Sequence, residues 1–417
     1  MQGCLVAASI LSSIKVLDLS RILAGPLVGQ MLGDLGADVV KVERPGKGDD
    51  SREMGPPFLH DADGSPTSDA GFFLSCNRNK RSVTIDLQKA EGKELVRRLA
   101  TEADVLIENF KVGTLARYGL DYASLREANP ALVYCSITGF GQTGPYAAKP
   151  GYDGVFQAMG GLMSVSGHPP GAPGAGPMKV GISMVDILTS YNATIAILGA
   201  LYHRDAGPAG GKGQHLDISL LDCGISALSH FAQNYLVSGE VPERRGNGGY
   251  GGIPSQSFTC SDGRMIFVVV GNTEQYRRFC DAIERPDLFS DPRFATGPDR
   301  INNRKILVPI LEEVFGARPA HTWVEGLDRA GVPVSFVNDI VDVFNDPQVQ
   351  NRRLVVEAQH GRAGAIPLLA NPLRFSETPI ERYLPPPLLG EHTEIVLSEW
   401  LALARSEIEA LAIDGAL

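Results

Sequence analysis

The 417-residue sequence predicts an α/β protein with a large Rossmann-like domain, built on a doubly wound parallel sheet, and a smaller α+β domain joined by long linkers. Three observations lead to this prediction. Short apolar runs alternate with amphipathic stretches through the first half of the chain, which indicates repeated strand–helix–strand units. Beyond residue 250, two strand-like runs precede a helical stretch. Proline- and glycine-rich tracts separate these regions, as is typical of linkers.

The elements of the first domain follow from the spacing of apolar residues. Strands are predicted at 14–19, 37–43, 82–86, 103–108 and 132–137. Helices are predicted at 25–36 and 89–101, and Pro26 occupies a favoured position near the start of the first. Because strands and helices alternate, we expect the strands to run parallel.

The second half of the chain has fewer clearly periodic segments. Strands are predicted at 257–260 and 263–270, and helices at 275–283 and 393–403. We therefore predict a large domain, a linker helix with a glycine-rich loop, a small α+β domain, and a linker with a C-terminal segment that returns to the large domain. Their bounds are 1–205, 206–250, 251–337 and 338–417.

Charge and composition exclude several classes of partner. The net charge of −10 argues against nucleic acid, whose recognition requires a basic surface. Charged residues or glycine interrupt each apolar run before it reaches the length of a membrane span, and the N-terminus lacks the features of a signal peptide. We expect a cytoplasmic protein with no membrane partner.

Cysteine, histidine and glycine spacing gives no indication of a bound cofactor. The six cysteines form no Cys-x-x-Cys pair and the eight histidines no His-x-x-x-His pair, so we expect reduced thiols and no metal. The first predicted strand leads into residues 20–26 without a Gly-x-Gly-x-x-Gly sequence, which argues against nicotinamide and flavin cofactors. A phosphate loop of the Gly-x-x-x-x-Gly-Lys type is also missing.

Asp186 lies where two predicted elements meet. The largely apolar run 180–185 has the composition of a short buried strand, and from Ile187 to Tyr202 apolar residues recur at helical spacing. A carboxylate at such a junction is stabilised by the N-terminus of the following helix. Two interpretations remain open at this point: Asp186 caps the helix, the commoner use of aspartate there, or it is a catalytic group.

A second unusual segment packs four glycines into five positions. Its residues are Gly248, Gly249, Tyr250, Gly251 and Gly252. Such a loop can adopt backbone conformations closed to other residues and can place its amides against a ligand. It is either a hinge between domains or an active-site lid, and a lid would protect a reactive anhydride from water.

Motifs in order along the whole chain carry a resemblance to a known family. They are VLDLSRILAGP at 16–26, GDLGADVVKVERPG at 33–46, NRNKRS at 77–82, ENF at 108–110, SITGFGQTGP at 136–145 and LGEHT at 389–393. The chain resembles the class III CoA-transferases, the family of formyl-CoA and carnitine CoA-transferases. It is most similar to the succinate–hydroxymethylglutarate CoA-transferase branch, through CSITGFGQTGP at 135–145 and LSHFAQNYL at 228–236.

The resemblance implies a chemistry and a set of site residues. Asp186 is the implied nucleophile, and acyl-CoA and small carboxylic acids are the implied substrates, with coenzyme A as the group transferred. It implies a lid at 248–252, although Tyr250 interrupts the family's glycine run, and an interlocked homodimer. The residues that match the CoA-binding positions of the family are Arg21, Ile22, Ala24, Arg44, Lys80, Asn109, Arg117 and Tyr118.

The resemblance also predicts the substrate pocket. Leu23 and Phe140 match positions that are a polar Gln and a Tyr in formyl-CoA transferases, which favours an acceptor larger or less polar than oxalate. We expect succinyl-CoA as the donor and a short dicarboxylic acid as the acceptor. The second carboxylate of that acid would contact Arg21 or the pair Arg244 and Arg245, unless this pair faces solvent.

Two alternatives come from other classes of protein. A 2-methylacyl-CoA racemase or epimerase of the same superfamily uses a His-Asp pair, whereas this chain has Tyr152 at the histidine position. A phenol with a pKa of about 10 is a poor base near neutrality, which disfavours this alternative. A CoA-binding protein without turnover is the other alternative, and such a protein needs neither Asp186 nor a glycine-rich lid.

Overall fold

A six-stranded parallel sheet forms the centre of the larger of two units in the computed structural model, which describes residues 9–208, 210–249 and 251–417. The large unit contains the described residues up to Leu162 together with Val180–Val237 and Arg352–Leu417. The small unit contains Met163–Lys179 and Ser238–Asn351. The chain therefore contributes three separate segments to the large unit.

These units correct the predicted division of the chain. Residues 163–179 belong to the small unit, although they were expected within the large domain 1–205. Most of the predicted linker 206–250 belongs to the large unit, because residues 215–219 pair with a strand of the central sheet. Residues 338–351 belong to the small unit rather than to the C-terminal segment.

The first part of the chain supplies the central sheet and most of the helices that cover it. The strands are β1 (Lys15–Asp18), β2 (Asp38–Glu43), β3 (Phe58–His60), β4 (Pro66–Ala70), β5 (Lys80–Thr84), β6 (Val105–Glu108), β7 (Val133–Thr138) and β8 (His215–Ser219). The α-helices are α1 (Ala24–Asp34), α2 (Gly71–Ser75), α3 (Ala90–Glu102), α4 (Tyr122–Ala128), α5 (Asp153–Met159), α6 (Leu162–Val165), α7 (Met184–Asp205), α8 (Leu220–Ser226) and α9 (His230–Ser238). Short 3-10 helices span Asp50–Glu53 and Ala116–Tyr118.

The sheet has the strand order β5-β2-β1-β6-β7-β8, and each pair of neighbours runs parallel. Successive side chains of a strand point to opposite faces, so both faces carry apolar cores. Leu17 of β1 packs with α3 residues on one face, and Val16 packs with α1 and α7 residues on the other. The predicted doubly wound parallel sheet is confirmed.

Two of the predicted strands are corrected. The strand expected at 82–86 is β5, which begins two residues earlier, at Lys80. The prediction started too late because Lys80 is a polar residue, although its side chain is buried. Residues 180–183 form no strand, and α7 begins at Met184. The described part of this run bonds to a side chain instead of a strand: Val180 N donates to Gln157 Oε1 at 2.8 Å. Asp186 thus lies in the first turn of α7 rather than between a strand and a helix.

Helix α7 is long and apolar enough to meet the length and composition criteria for a membrane span, contrary to the expectation that no segment would. This is weak evidence for a span, because core helices of globular proteins meet the same criteria. Ala193 and Ile197 of α7 are fully buried in the core beneath the sheet. We therefore describe α7 as a core helix of the large unit.

The small unit is built on a three-stranded antiparallel sheet of order β11-β10-β9. Its strands are β9 (Ser255–Thr259), β10 (Met265–Val269) and β11 (Val334–Phe336). Its helices are α10 (Thr273–Ala282), α11 (Pro286–Ser290), α12 (Gly297–Asn302), α13 (Arg304–Gly316), α14 (Ala320–Arg329), α15 (Ile340–Asn345) and α16 (Pro347–Asn351). Phe258, Phe279 and Phe315 form the aromatic centre of its core.

The C-terminal segment adds to the large unit. It contains the hairpin β12 (Val355–His360) and β13 (Gly364–Leu369), followed by α17 (Thr393–Leu401) and α18 (Arg405–Ile413). Asn371 Nδ2 donates to Asp34 Oδ2 at 2.9 Å, and Arg52 donates to the Pro387 carbonyl at 3.0 Å. Helix α17 packs on α3 and β5, so this segment completes one apolar face of the sheet.

The described cysteines are free thiols, as predicted. They are buried rather than exposed at the surface: Cys76, Cys135, Cys223, Cys260 and Cys280. Cys4 lies outside the described residues. The sixth predicted thiol therefore stays a prediction.

Two buried lysine–aspartate pairs lie side by side near the carboxyl ends of β1 and β2. Lys80 Nζ is 2.9 Å from Asp18 Oδ2, and Lys41 Nζ is 2.8 Å from Asp49 Oδ2, with all four side chains inaccessible to solvent. Burial would raise the pKa of Asp18, but Lys80 and Lys41 outweigh this effect and lower it. Both carboxylates are therefore ionised, and each lysine also donates to a backbone carbonyl.

Removing the Lys80 ammonium would leave a charged Asp18 in the interior with one of its partners missing. We expect Lys80→Met to lower the free energy of unfolding by about 3–5 kcal/mol, measured by urea denaturation. Combining it with Asp18→Asn removes both charges and should recover part of the loss. Arg97, whose exposed side chain pairs with Glu94, provides the control, since Arg97→Met should change stability by less than about 1 kcal/mol. Equal losses in Lys80→Met and Arg97→Met would contradict the structural role.

Candidate active site

A cavity of about 370 Å³ opens at the carboxyl ends of the central strands. Its walls come from residues 21–24 after β1, residues 109–112 after β6 and residues 137–139 at the end of β7. The connections leave β1 and β6 in opposite directions along the sheet, which makes this the topological switch point. Ligands of open α/β sheets bind at such a point.

Asp186 lines this cavity from the first turn of α7. In the described part of the chain its carboxyl group has no hydrogen-bonding partner, so its oxygen atoms are available to a ligand. Burial, followed by the negative charge of Asp153, raises the pKa of Asp186 to about 7. An aspartate that is ionised near neutrality yet more basic than usual can act as a nucleophile.

Asp153 holds the backbone around Asp186. Asp153 is the first residue of α5, and its Oδ1 accepts from the amides of Val185 at 2.8 Å and Asp186 at 3.4 Å. Its other oxygen accepts from Gln157 Nε2 at 2.6 Å. Asp153 was not predicted as a site residue, although its neighbour Tyr152 was. The signal for Asp153 was its place next to Tyr152, but only the fold brings it to α7.

The segment after β1 has a constrained backbone. Arg21 N donates to Asn109 Oδ1 at 2.9 Å, and Asn109 Nδ2 donates back to the Arg21 carbonyl at 2.7 Å. Ile22 adopts a left-handed conformation with φ of 74°, which is uncommon for a β-branched residue. Its amide donates to Asp49 Oδ1 at 3.1 Å, so the buried Lys41–Asp49 pair also fixes this turn.

A second cavity of about 190 Å³ lies beside the first and shares Arg21 and Phe110 with it. Arg44 and Gln88 line this second cavity. Asp50 lines the first cavity and has three cations near it. They are Arg21 at 3.3 Å, Arg44 at 3.8 Å and Lys47 at 3.5 Å from its carboxylate oxygens. Lys47 was missed by the sequence analysis.

The predicted CoA-binding residues fall into three groups. Arg21, Ile22, Ala24 and Asn109 line the cavity of Asp186, and Arg44 lines the second cavity. Exposed Arg117 and partly exposed Tyr118 line neither, although Gln88 of the second cavity donates to Tyr118 Oη at 3.2 Å. Lys80 is the exception.

The structure corrects the expectation that Lys80 binds CoA. Its ammonium group is inaccessible to solvent and donates to Asp18, to Asn77 Oδ1 at 2.9 Å and to the Pro26 carbonyl at 2.7 Å. Three partners account for all three N–H groups of a lysine. Lys80 therefore supports the segment that lines the cavity and does not reach a ligand.

The predicted pocket residues are only partly brought together. Leu23 and Tyr152 line the cavity of Asp186, and Tyr152 is 76% exposed. Phe140 is not among the residues that line it. Its ring instead makes edge contacts with Phe156 and Tyr146, with centroids 5.2 and 5.6 Å apart.

The predicted lid and arginine pair belong to the small unit. Gly248 N donates to the Arg245 carbonyl and Gly249 N donates to the Ser255 carbonyl at 2.7 Å. A Cβ atom on Gly252 would lie 2.0 Å from the Val270 carbonyl oxygen, so this position requires glycine. Arg244 Nε donates to the His168 carbonyl at 3.2 Å. Tyr250 lies outside the described residues.

Two further cations, Lys111 and Lys149, line the cavity of Asp186, and neither was predicted from sequence. Lys149 Nζ lies 3.8 Å from the centroid of the Tyr146 ring, just before the segment that leads into α5. Within 9–208, 210–249 and 251–417, no three His, Cys, Asp or Glu side chains are arranged to hold a metal ion.

Comparison with known proteins identifies the family. A family model described as CoA-transferase family III matches residues 11–393. A succinate–glutarate CoA-transferase of Agrobacterium fabrum is 43% identical over 95% of this chain and 97% of its own. A human succinyl-CoA:glutarate CoA-transferase is 38% identical over 94% of this chain and 86% of its own.

A solved structure agrees with these matches. The crystal structure of a CAIB/BAIF family protein from Brucella suis superposes with a TM-score of 0.84 at 44% identity. The match covers 94% of this chain and 100% of that one. The chain belongs to CoA-transferase family III.

Proposed function

We propose that this protein transfers CoA from succinyl-CoA to a short dicarboxylic acid such as glutarate, with Asp186 as the nucleophile. The observation that carries the proposal is the Asp186 carboxyl group, which has no partner in the described part of the chain and lines a cavity at the switch point of the sheet. The relatives named for succinate and glutarate support the choice of substrates.

The reaction divides into steps that need only carboxylates and a thiolate. Asp186 attacks the thioester carbonyl of succinyl-CoA and the C–S bond breaks. CoA departs as the thiolate, and an aspartyl–succinyl anhydride is formed. The thiolate attacks the aspartyl carbonyl, which gives an aspartyl-CoA thioester and releases succinate. The acceptor carboxylate attacks the aspartyl carbonyl of this thioester and displaces the thiolate, which forms a second anhydride. The thiolate then attacks the acceptor carbonyl of this anhydride, which gives the acceptor acyl-CoA and regenerates the Asp186 carboxylate. Covalent catalysis of this kind replaces one difficult exchange by easier steps.

The elevated pKa of Asp186 suits this role. A nucleophile must be ionised, but a carboxylate with a pKa near 7 is more basic than ordinary aspartate at about 3.9. Burial also removes water that would hydrolyse the anhydride and thioester intermediates. At neutral pH the pKa of about 7 leaves a substantial fraction of Asp186 ionised.

The cations around Asp50 are suited to bind the phosphates of CoA. Arg21 and Arg44 line the cavities, Lys47 pairs with the same Asp50 carboxylate, and these pairs with Asp50 are partly exposed. Exposed ion pairs contribute little stability, so these side chains can turn to a phosphate at small cost. CoA would then extend from Asp186 past Phe110 into the second cavity, which contains Arg44.

The second carboxylate of the acceptor needs a cation within the cavity of Asp186. We assign this role to Lys149, because it lies on the segment that enters α5, whereas Lys111 follows Asn109 on the side of CoA. This assignment replaces the predicted contact with Arg244 and Arg245. The interlocked homodimer and the cytoplasmic location stay predictions.

We expect Asp186→Ala to abolish succinyl-CoA:glutarate transfer, because alanine has no carboxylate with which to form the anhydride. Incubation of the parent with succinyl-CoA and hydroxylamine should convert Asp186 to its hydroxamate, detected by peptide mass spectrometry. Asp328→Asn on α14, an exposed carboxylate that lines neither cavity, is the matched control and should retain transfer. Full activity of Asp186→Ala would refute the mechanism. Uptake of deuterium at the α-carbon without transfer would favour the racemase alternative.

Removal of the phosphate-binding cations should weaken binding of free CoA. Arg44→Ala and Lys47→Ala should each raise the dissociation constant roughly tenfold, the effect of losing one charge-assisted hydrogen bond. Isothermal titration calorimetry measures the change. Arg97→Ala on α3 serves as a control that leaves affinity unchanged, because Arg97 pairs with Glu94 away from both cavities. Parent-like affinity in both cavity variants would exclude this site.

Lys149 should determine the preference for a dicarboxylic acid. We expect Lys149→Met to lower kcat/KM for glutarate roughly tenfold or more and to leave that for pentanoate, a monocarboxylate of equal length, nearly unchanged. Lys111→Met is the matched comparison, since a contact with CoA would affect both acids alike. Equal losses for both acids in Lys149→Met would show that this lysine does not select the acceptor.

A further inference from the structure

We propose that Asp153, held by Gln157, is a positioning residue that fixes the first turn of α7 and thereby the direction of the Asp186 carboxylate. This inference rests on the proposed role of Asp186. Asp153 does not react with the substrate in this proposal, and it acts through the backbone of the nucleophile.

Helix α7 lacks a cap from its own sequence. Ser183 occupies the N-cap position, but its side chain makes no capping hydrogen bond. The first amides of a helix have no partner within the helix and need an external acceptor. Asp153 supplies it from α5, since its Oδ1 accepts from Val185 at 2.8 Å and from Asp186 at 3.4 Å. A carboxylate is the favoured group at this end of the helix dipole.

Gln157 fixes the Asp153 carboxylate from the other side. Its Nε2 donates to Asp153 Oδ2 at 2.6 Å and to the Ile182 carbonyl at 3.2 Å, and its Oε1 accepts from Val180. The Gln157 side chain is completely buried. One amide group therefore ties the segment before α7 to the residue that caps α7, which leaves the first turn little freedom to shift.

The other side of the first turn is anchored to α1. The single Ser190 hydroxyl hydrogen is shared between two acceptors, the Asp186 carbonyl at 2.9 Å and the Ala24 carbonyl at 2.8 Å from Oγ. Ala24 lines the cavity, so the two walls of the cavity share this link. Asp186 is thus held between α5 and α1, and loss of the α5 contact would release one of these two supports.

Asp153 also affects Asp186 electrostatically. Both are acids, and the charge of Asp153 adds to burial in raising the pKa of Asp186. Helix α8, which packs on α5 and α7, carries Cys223 and Asp222, and the other titratable groups that line the cavity are Arg21, Asp50, Lys111, Lys149 and Tyr152. Removing the negative charge of Asp153 stabilises the Asp186 carboxylate, so the pKa of Asp186 falls. The acidic limb of the kcat/KM profile should then move to lower pH.

Two variants separate position from charge. Asp153→Ala removes the acceptor and the charge, and we expect kcat to fall between about tenfold and a hundredfold through misplacement of the nucleophile. Asp153→Asn retains an oxygen acceptor for the two amides, so its kcat should be closer to that of the parent while its acidic limb shifts. Affinity for free CoA should stay within about twofold in both, since Asp153 is not among the groups assigned to CoA.

The matched control removes a helix cap elsewhere. Asp339 caps α15 by accepting from Asp342 N at 2.8 Å, so Asp339→Ala loses a comparable cap in the small unit. If general destabilisation explains the effect, Asp339→Ala and Asp153→Ala should lower kcat alike, and that result would overturn the proposal. A kcat of Asp153→Ala within about twofold of the parent would overturn it as well.

A titration independent of turnover separates this proposal from the proposed function. Carbon-13 NMR of aspartate-labelled protein, with Asp186 assigned through Asp186→Asn, follows the Asp186 carboxyl directly. A lower midpoint in Asp153→Asn supports the coupling even if no transfer is found with any acid. An unchanged midpoint of the Asp186 titration in Asp153→Asn overturns the coupling between the two residues even if the parent transfers CoA.

Discussion

Two buried lysine–aspartate pairs are the constraint on which the site depends. Lys41 with Asp49 and Lys80 with Asp18 lie beneath the turn that follows β1. Asp49 holds the Ile22 amide, and Lys41 holds the Ser20 carbonyl at 2.8 Å, so the turn is fixed at both ends. Such pairs cost desolvation free energy, and a core of apolar side chains would give more stability. Their value here is geometric, because they hold a left-handed residue at the wall of a cavity.

The site therefore has two electrostatic layers. In each buried pair the two charges balance, and Lys80 also has a hydrogen-bond partner for each of its N–H groups. In the part of the chain that the structure describes, neither Asp186 nor Asp153 pairs with a lysine or arginine, and burial together with the charge of Asp153 disfavours the Asp186 anion. Arg21 and Arg44, which line the cavities, form partly exposed pairs with Asp50. The buried pairs thus support the backbone of the site, whereas the partly exposed cations are available to bind substrate.

Much of this architecture could be predicted from sequence, because apolar periodicity records burial directly. The spacing of residues 14–43 predicted β1, α1 and β2, and the junction before Ile187 drew attention to Asp186. Periodicity failed where polar side chains are buried in pairs. The sequence alone does not distinguish a lysine that binds phosphate from one, such as Lys80, that pairs with a buried aspartate. It also failed at 180–185, where an apolar run is held by Gln157. Both partners are distant in sequence, so only the fold reveals them.

The division of the large unit into three segments has a consequence for synthesis on the ribosome. Asp34 and Arg52 emerge early, yet Asn371 and the Pro387 carbonyl, which bond to them, are made more than three hundred residues later. Until then the apolar face formed by Val83, Leu95 and Leu99 lacks its cover from Val396 and Trp400. The nascent chain must carry an unfinished core through most of translation.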